Sequence, residues 1–271
     1  MKMPHTGFEG SVFDHEFRSG YIQWLFHQET TKNYSEPKIP KVVIQFWDDL
    51  ENLPKDVKGC LESWKLLEGF DFDVVLFSDI SARNFIEKEY SNEYLMAYEK
   101  CNHPAMKCDY FRLCYIYKYG GAYIDADEIL IDYIKFIEYF NNNNLKIQPL
   151  CFDLDKNKMV SLTDFIYDKS YPDKKIFYVN NNPIISPPKH RLIKLALINA
   201  TNNLLEHKGT KFDIQSTVGP GNLTLNLVTY SMQLKRKKES SDFEIVKNWD
   251  KVSKCEWFLE YRNDKRNWRN Y

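Results

Sequence analysis

Glycine is thin in this chain of 271 residues, 10 in all, and the glycines nowhere gather into the loop that cradles a nucleotide phosphate. That excludes a P-loop ATPase and a Rossmann dehydrogenase. An excess of one charge is also missing, since 37 Lys+Arg face 38 Asp+Glu for a net charge of -1, and no global field points to nucleic acid as a partner. The six cysteines (Cys60, Cys101, Cys108, Cys114, Cys151 and Cys255) form no CxxC pair and fall far short of a disulfide-stapled scaffold, so they read as reduced thiols. No apolar run is long enough to span a bilayer, and residues 1–35 hold no uninterrupted apolar segment. The expectation is a soluble, cytoplasmic protein.

What the chain has in concentrated form is the stretch from His103 to Ile131. Apolar residues recur at helical spacing from Pro104 through Met106, Tyr110, Leu113, Cys114 and Tyr117, with Pro tolerated in a first helical turn. Gly120-Gly121 supplies the helix stop, and Ala122-Tyr123-Ile124 follows as a short buried strand. Asp125 and Asp127 stand at its end, on one side of an extended chain, with the small Ala126 turned away. Two hard carboxylates of this kind suit Mn²⁺ or Mg²⁺, which keep open positions for water and substrate phosphates and stabilise a departing diphosphate. The bland alternative is a solvated strand end.

Two other Asp-x-Asp tripeptides serve as internal controls. Asp71 and Asp73 precede the apolar run Val74–Phe77 and so lie at a strand entry, whereas sites in open α/β sheets gather at strand exits. Asp153 and Asp155 lead into the polar run Lys156-Asn157-Lys158, a turn. Only Asp125 and Asp127 follow a buried strand and an upstream helix carrying its own charges, Asp109 and Arg112, three residues apart on one face. That helix is too apolar to hold charges without partners, so the pair either satisfies itself or binds a ligand.

At these residues a family resemblance emerges. The string Ala105-Met-Lys-Cys-Asp109-Tyr-Phe-Arg112, then Tyr117-Lys-Tyr-Gly120-Gly121-Ala-Tyr123-Ile-Asp125-Ala-Asp127, resembles the sugar-binding region of Asp-x-Asp glycosyltransferases of the mannosyl- and capsular-polysaccharide-transferase type. More distantly it is similar to the glucosylating domain of large clostridial cytotoxins. The resemblance implies an α/β fold of the GT-A kind, a Rossmann-like mixed sheet flanked by helices. It also implies a nucleotide-sugar donor (UDP- or GDP-sugar), Mn²⁺ or Mg²⁺, retention of anomeric configuration, and a glycan or lipid-linked acceptor. Asp127 becomes the direct metal ligand, Asp125 a ligand to metal-bound water, ribose or sugar, and Asp109 with Arg112 the grip on donor sugar and phosphate.

Along the chain, residues 1–38 read as an N-terminal extension with a short amphipathic helix near Phe17–Gln28, and residues 39–271 as one catalytic unit. Val42 to Trp47 is a first buried strand, Leu53–Leu67 a helix and Val74–Phe77 a second strand, a βαβ pattern. The resemblance puts Trp47 on the nucleotide base, with Gln45 and Phe46 beside it; core packing is the competing role for Trp47. Asp79, at a strand exit, either touches nucleotide or helps cap the next helix. The run Asn141–Asn144 reads as composition bias on the surface. Asn180–Pro188 resembles a family segment facing donor and acceptor, although a string of Asn is most often a plain loop. Thr217–Gly221 is a turn whose backbone is flexible enough to approach the donor.

The tail departs from the family. Relatives carry there a His that completes the metal shell and then Ser-Trp; here Trp268 matches the Trp, but no histidine follows His207. Glu260, Asn263 and Asp264 are chemical substitutes for the third ligand, and Arg266 or Arg269 suits the diphosphate. Aromatics alternate with basic residues over Trp257–Tyr271, a pattern fitting either a lid on the donor or peripheral contact with an anionic membrane face. A catalytically degenerate sugar-binding relative and a metal-dependent phosphohydrolase are the alternative functions.

Overall fold

A computed structural model describes residue 12 and residues 14–165, 174–209, 211–256, 258–267 and 269. The helix α1 (His15–Leu25) leads to β1 (Val42–Phe46), α2 (Lys55–Trp64), β2 (Asp73–Phe77), α3 (Asp79–Glu89), α4 (Asn92–Lys100), α5 (Pro104–Tyr119) and β3 (Gly121–Tyr123). There follow β4 (Glu128–Leu130), α6 (Tyr133–Glu138), β5 (Leu145–Asp153), β6 (Lys158–Val160), α7 (Leu162–Phe165) and β7 (Lys175–Ser186). The chain closes through α8 (Arg191–Glu206), α9 (Ile214–Thr217), α10 (Pro220–Lys237), β8 (Phe243–Ile245), β9 (Ser253–Cys255) and a 3₁₀ turn over Glu260–Asn263.

The main sheet runs β2-β1-β3-β7-β5-β6, with β8 also paired to β5, and a separate β4-β9 ribbon lies beyond it. β1 is parallel to both β2 and β3, whereas β7 is antiparallel to β3 and β5. This is the mixed α/β sheet flanked by helices that the sequence implied. Its parallel half carries the expected βαβ unit, because β1 is an almost wholly buried apolar run with helices to cover it. The six cysteines are free. Among the described residues no helix is long and apolar enough to cross a membrane.

Gly120 and Gly121 earn their places twice. Both have positive φ, 72° and 98°, and a Cβ on Gly120 would lie 2.7 Å from the Pro188 nitrogen, while one on Gly121 would lie 2.3 Å from Val42 Cγ1. The helix stop therefore lets β3 drop directly into the sheet beside β1.

Three sequence expectations need correction. The N-terminal extension is no appendage: Tyr21, Ile22, Leu25 and Phe26 are buried in the main core, and the backbone N–H of Phe177 in β7 donates to Ser19 Oγ at 2.9 Å. Asn142, Asn143 and Asn144 are buried rather than a surface bias. An amide both donates and accepts, so Asn144 can hold the extension by two bonds, to the Thr31 carbonyl and from the Asn33 N–H, each at 3.0 Å. Finally, Asn180–Asn182 are strand, not loop. Between the pairs Ile147↔Ile184 and Pro149↔Val179, five steps along β7 oppose two along β5, a bulge that pushes the asparagine side chains out of the ladder.

Candidate active site

The site grows from α5. His103 caps its N-terminus by accepting from the Ala105 N–H at 3.0 Å, and one turn further on Asp109 and Arg112 point the same way. Arg112 is buried, and its planar fork is filled by protein: Nη2 lies 2.7 Å from Asp109 Oδ1 and 3.1 Å from Asp125 Oδ1, while Nη1 donates to the Asn181 carbonyl at 2.7 Å. Its guanidinium also stacks 4.0 Å from the Tyr123 ring centre. One arginine thus neutralises the helix carboxylate and the first carboxylate of the Asp-x-Asp turn together. Burial pushes Asp109 up to about 6 despite the opposing pull of Arg112, and the Cys108 thiol up to about 12. Tyr123 donates to Asp125 Oδ1 at 2.9 Å and meets Cys108 Sγ at 2.7 Å.

Asp127 has a different set of neighbours. Ala126 is buried in a small apolar cluster with Trp47 and Leu259, which holds the turn against the C-terminal tail. Asp127 Oδ2 accepts from the Tyr261 hydroxyl at 2.7 Å and forms a short ion pair with Arg262 Nη2. Burial, and then the charge of Asp125, push its carboxyl above the usual range, while Arg262 and Tyr261 pull the other way. Glu128, the next residue, is raised to about 8 by burial; its Oε1 accepts from Asn182 Nδ2 at 3.0 Å and its Oε2 from Ser253. Asn182 Oδ1 in turn accepts from the Asp125 N–H at 3.0 Å, so the β7 bulge holds the backbone of the turn.

These groups share one cavity of about 410 Å³. Asp109, Arg112, Asp125 and Asp127 all line it, as do Phe46 and Trp47. Trp47 meets Tyr261 edge-on at 5.2 Å, and its indole Nε1 is buried without a hydrogen-bond partner among the described residues. Gln45, grouped with Trp47 as nucleotide-binding, is not on the wall: strand alternation turns it inward, fully buried, with Nε2 3.5 Å from the Asp125 carbonyl. Asp79 is likewise off the wall, paired with Lys107 and accepting from Tyr98, while Ser78 caps α3. Gly219 opens α10, where a Cβ would come within 3.1 Å of Asp109 Oδ2; only Pro220 beside it reaches the cavity.

The tail contributes Tyr261, Arg262, Arg266, Asn267 and Arg269 to the wall. Trp268 lies outside the described residues, as do Trp257 and Tyr271. None of the three substitutes considered for a third metal ligand lines the cavity, and Asp264 is instead clasped by Arg266 Nε at 3.0 and 3.1 Å. Among the described residues no group of three or more His, Cys, Asp or Glu is arranged to hold a metal. The donor set fits a divalent cation nevertheless. Asp127 is a nearly buried carboxylate beside a second one and needs a counter-cation, a need now met by the Arg262 guanidinium; two carboxylates with water and phosphate oxygens would make the remaining shell. Sequence reasoning passed over Glu128, whose only signal is its place directly after the motif, and treated Arg262 as one of several tail cations.

Residues 54–149, from α2 into β5, match the family model of the glycosyltransferase sugar-binding region containing the DXD motif. Among curated proteins the chain is similar to inositol phosphoceramide mannosyltransferases 2 and 3 of Schizosaccharomyces pombe. The first is 34% identical over 93 residues (34% of this chain, 26% of that protein), the second 33% over 103 residues (38% and 28%). An uncharacterized glycosyltransferase, L373, of Acanthamoeba polyphaga mimivirus is 28% identical over 92 residues, 34% of this chain and 36% of that one. The similarity therefore spans about a quarter to a third of these relatives. Among solved structures, a PaToxG glycosyltransferase aligns over 84% of this chain and 80% of its own, at 15% identity and a TM-score of 0.49.

Proposed function

We propose that the protein transfers a hexose from a UDP- or GDP-sugar, with retention of configuration, to a glycan or lipid-linked acceptor. One observation carries the reading: Arg112 bridges Asp109 and Asp125 on the wall of the cavity that also holds Asp127. A divalent cation held by Asp127 and Asp125 would supply Lewis-acid stabilisation of the departing nucleoside diphosphate. The chain's own residues do the rest. Arg112 fixes the Asp125 carboxylate before substrate arrives, which lowers the cost of orienting it for ribose or sugar hydroxyls. Asp109, half of that buried pair, offers its remaining oxygen to a sugar hydroxyl. Trp47 presents an apolar face with a polar handle to the base, and Arg266 and Arg269 present forks suited to phosphate. The tail's basic and aromatic residues also suit peripheral contact with an anionic inner membrane face, where a lipid-linked acceptor would be found.

The test is a panel of nucleotide-sugars with Mn²⁺, monitored for donor hydrolysis. A mannosyl donor heads the panel because two of the similar proteins are named mannosyltransferases. Slow release of free sugar from one donor is the expected result. Binding without turnover across the panel would mark a sugar-binding relative, and cleavage of simple phosphate esters would mark a phosphohydrolase; either overturns the proposal.

A further inference from the structure

The carboxylate best placed for a metal is already occupied by the protein itself. Asp127 Oδ2 takes both the Tyr261 hydroxyl and the Arg262 guanidinium, two consecutive residues of one 3₁₀ turn, and Arg262 Nη2 also reaches Cys255 Sγ at 3.2 Å. The turn is well seated without any nucleotide. Leu259 is buried against Trp47 and Ala126, the Glu260 N–H donates to Asp56 Oδ2 at 2.7 Å, and His103 Nε2 lies 3.0 Å from the Lys265 carbonyl. The tail is therefore closed over Asp127 by contacts that owe nothing to a donor.

We propose that Arg262 is a built-in competitor of the divalent cation at Asp127, so that closure of the tail over this carboxylate weakens metal binding. The inference rests on the reading of Asp127 as a metal ligand. Two effects set the competition. Asp127 Oδ2 accepts two hydrogen bonds, one of them charge-assisted, which leaves only Oδ1 for a metal, and a guanidinium in contact with the carboxylate repels an incoming divalent ion in a cavity where burial strengthens the repulsion. Tight metal binding thus draws the Arg262 guanidinium off Asp127 and loosens the Glu260–Asn263 turn, and nucleoside diphosphate promotes entry by adding phosphate oxygens to the metal shell while offering the displaced guanidinium a new anion. The arrangement keeps the donor-free protein from holding metal.

The test is Mn²⁺ binding to the full chain without any nucleotide, followed by electron paramagnetic resonance of free Mn²⁺. Arg262→Met should bind Mn²⁺ at least about tenfold more tightly than the parent, the scale on which groups around a metal site alter affinity. Arg262→Lys, which keeps the charge, should stay near the parent, and Arg262→Met combined with Asp127→Asn should lose the gain. In the parent, Mn²⁺ with UDP or GDP should speed trypsin cleavage after Arg262 and Lys265. Equal Mn²⁺ affinity in the parent and Arg262→Met overturns the competition while leaving Asp127 as a ligand. Absence of Mn²⁺ binding in both proteins, even with nucleoside diphosphate present, overturns the metal reading and the competition with it. A thermal melt of each variant verifies folding, and if Arg262→Met unfolds, the Arg262→Gln variant carries the same comparison.

Discussion

Asp125-Ala-Asp127 and Asp153-Leu-Asp155 share a spacing and almost nothing else. At the second, Asp153 Oδ1 accepts the Lys156 N–H at 2.9 Å in a turn after β5, and Asp155 pairs with Lys174 Nζ at 3.0 Å with more than half of its side chain exposed. That backbone hydrogen bond holds the Asp153 carboxyl below the usual range. Asp127 is shifted the other way, by burial and by the carboxylate of Asp125, and the two side chains that hydrogen-bond to it, Tyr261 and Arg262, are delivered from a distant part of the chain. The difference teaches that one Asp-x-Asp spacing becomes a turn cap or part of a cavity wall according to what the fold puts around it. A carboxylate satisfied by its own next turn has nothing left to do. One held by side chains in a cavity can trade them for a ligand.

The comparison breaks most sharply at Asp127→Asn. It should reduce Mn²⁺-dependent donor hydrolysis by more than the roughly 10–100-fold that follows loss of an outer partner at metal sites, with the far-ultraviolet spectrum unchanged. If Asp153→Asn costs as much activity while folded, the site has been placed on the wrong tripeptide. Arg112→Lys comes next. A point ammonium cannot span Asp109, Asp125 and the Asn181 carbonyl together, so stability should fall by about 1–3 kcal/mol and donor affinity with it. Early melting with unchanged affinity, by thermal melt and titration calorimetry, would reduce Arg112 to a structural tie.

The smallest effect belongs to Asp153→Asn and sets the acid side of the comparison. A carboxyl whose folded pKa is depressed contributes stability above its unfolded value near 3.8, and loses that contribution as pH falls through the folded value. The variant should melt slightly below the parent at pH 7 and converge with it as pH falls through the folded value. A gap that stays constant as pH falls would show that the turn depends on shape rather than on charge.

Most of what was legible from sequence was local. The helix Pro104–Tyr119, its glycine stop, the short strand and the acidic turn lie in one contiguous string, so spacing alone declares them. The strands β1 and β2 and the helix α2 between them were readable for the same reason, as apolar runs with clear periods. The burial of Gln45 off the cavity wall was not legible because strand alternation says which residues share a face but not which face the cavity lies on. The asparagines were misread because an amide is equally at home in water and in a buried network. Only packing decides which, as Asn144 and Asn182 show in different parts of the fold.

By itself, then, the sequence determined the α/β class, the identity of the motif-bearing segment, and the placing of Asp109 and Arg112 on one helix face, since each depends on residues within a few turns of one another. Tertiary structure decided the electrostatics of the site. Arg262 meets Asp127 across 135 residues, and Ser253 meets Glu128 across 125. Such encounters leave no periodic trace, because their partners are fixed by the sheet order, the β7 bulge and the docking of the tail, and it is these that set which carboxylates are buried, which are paired, and with what cation.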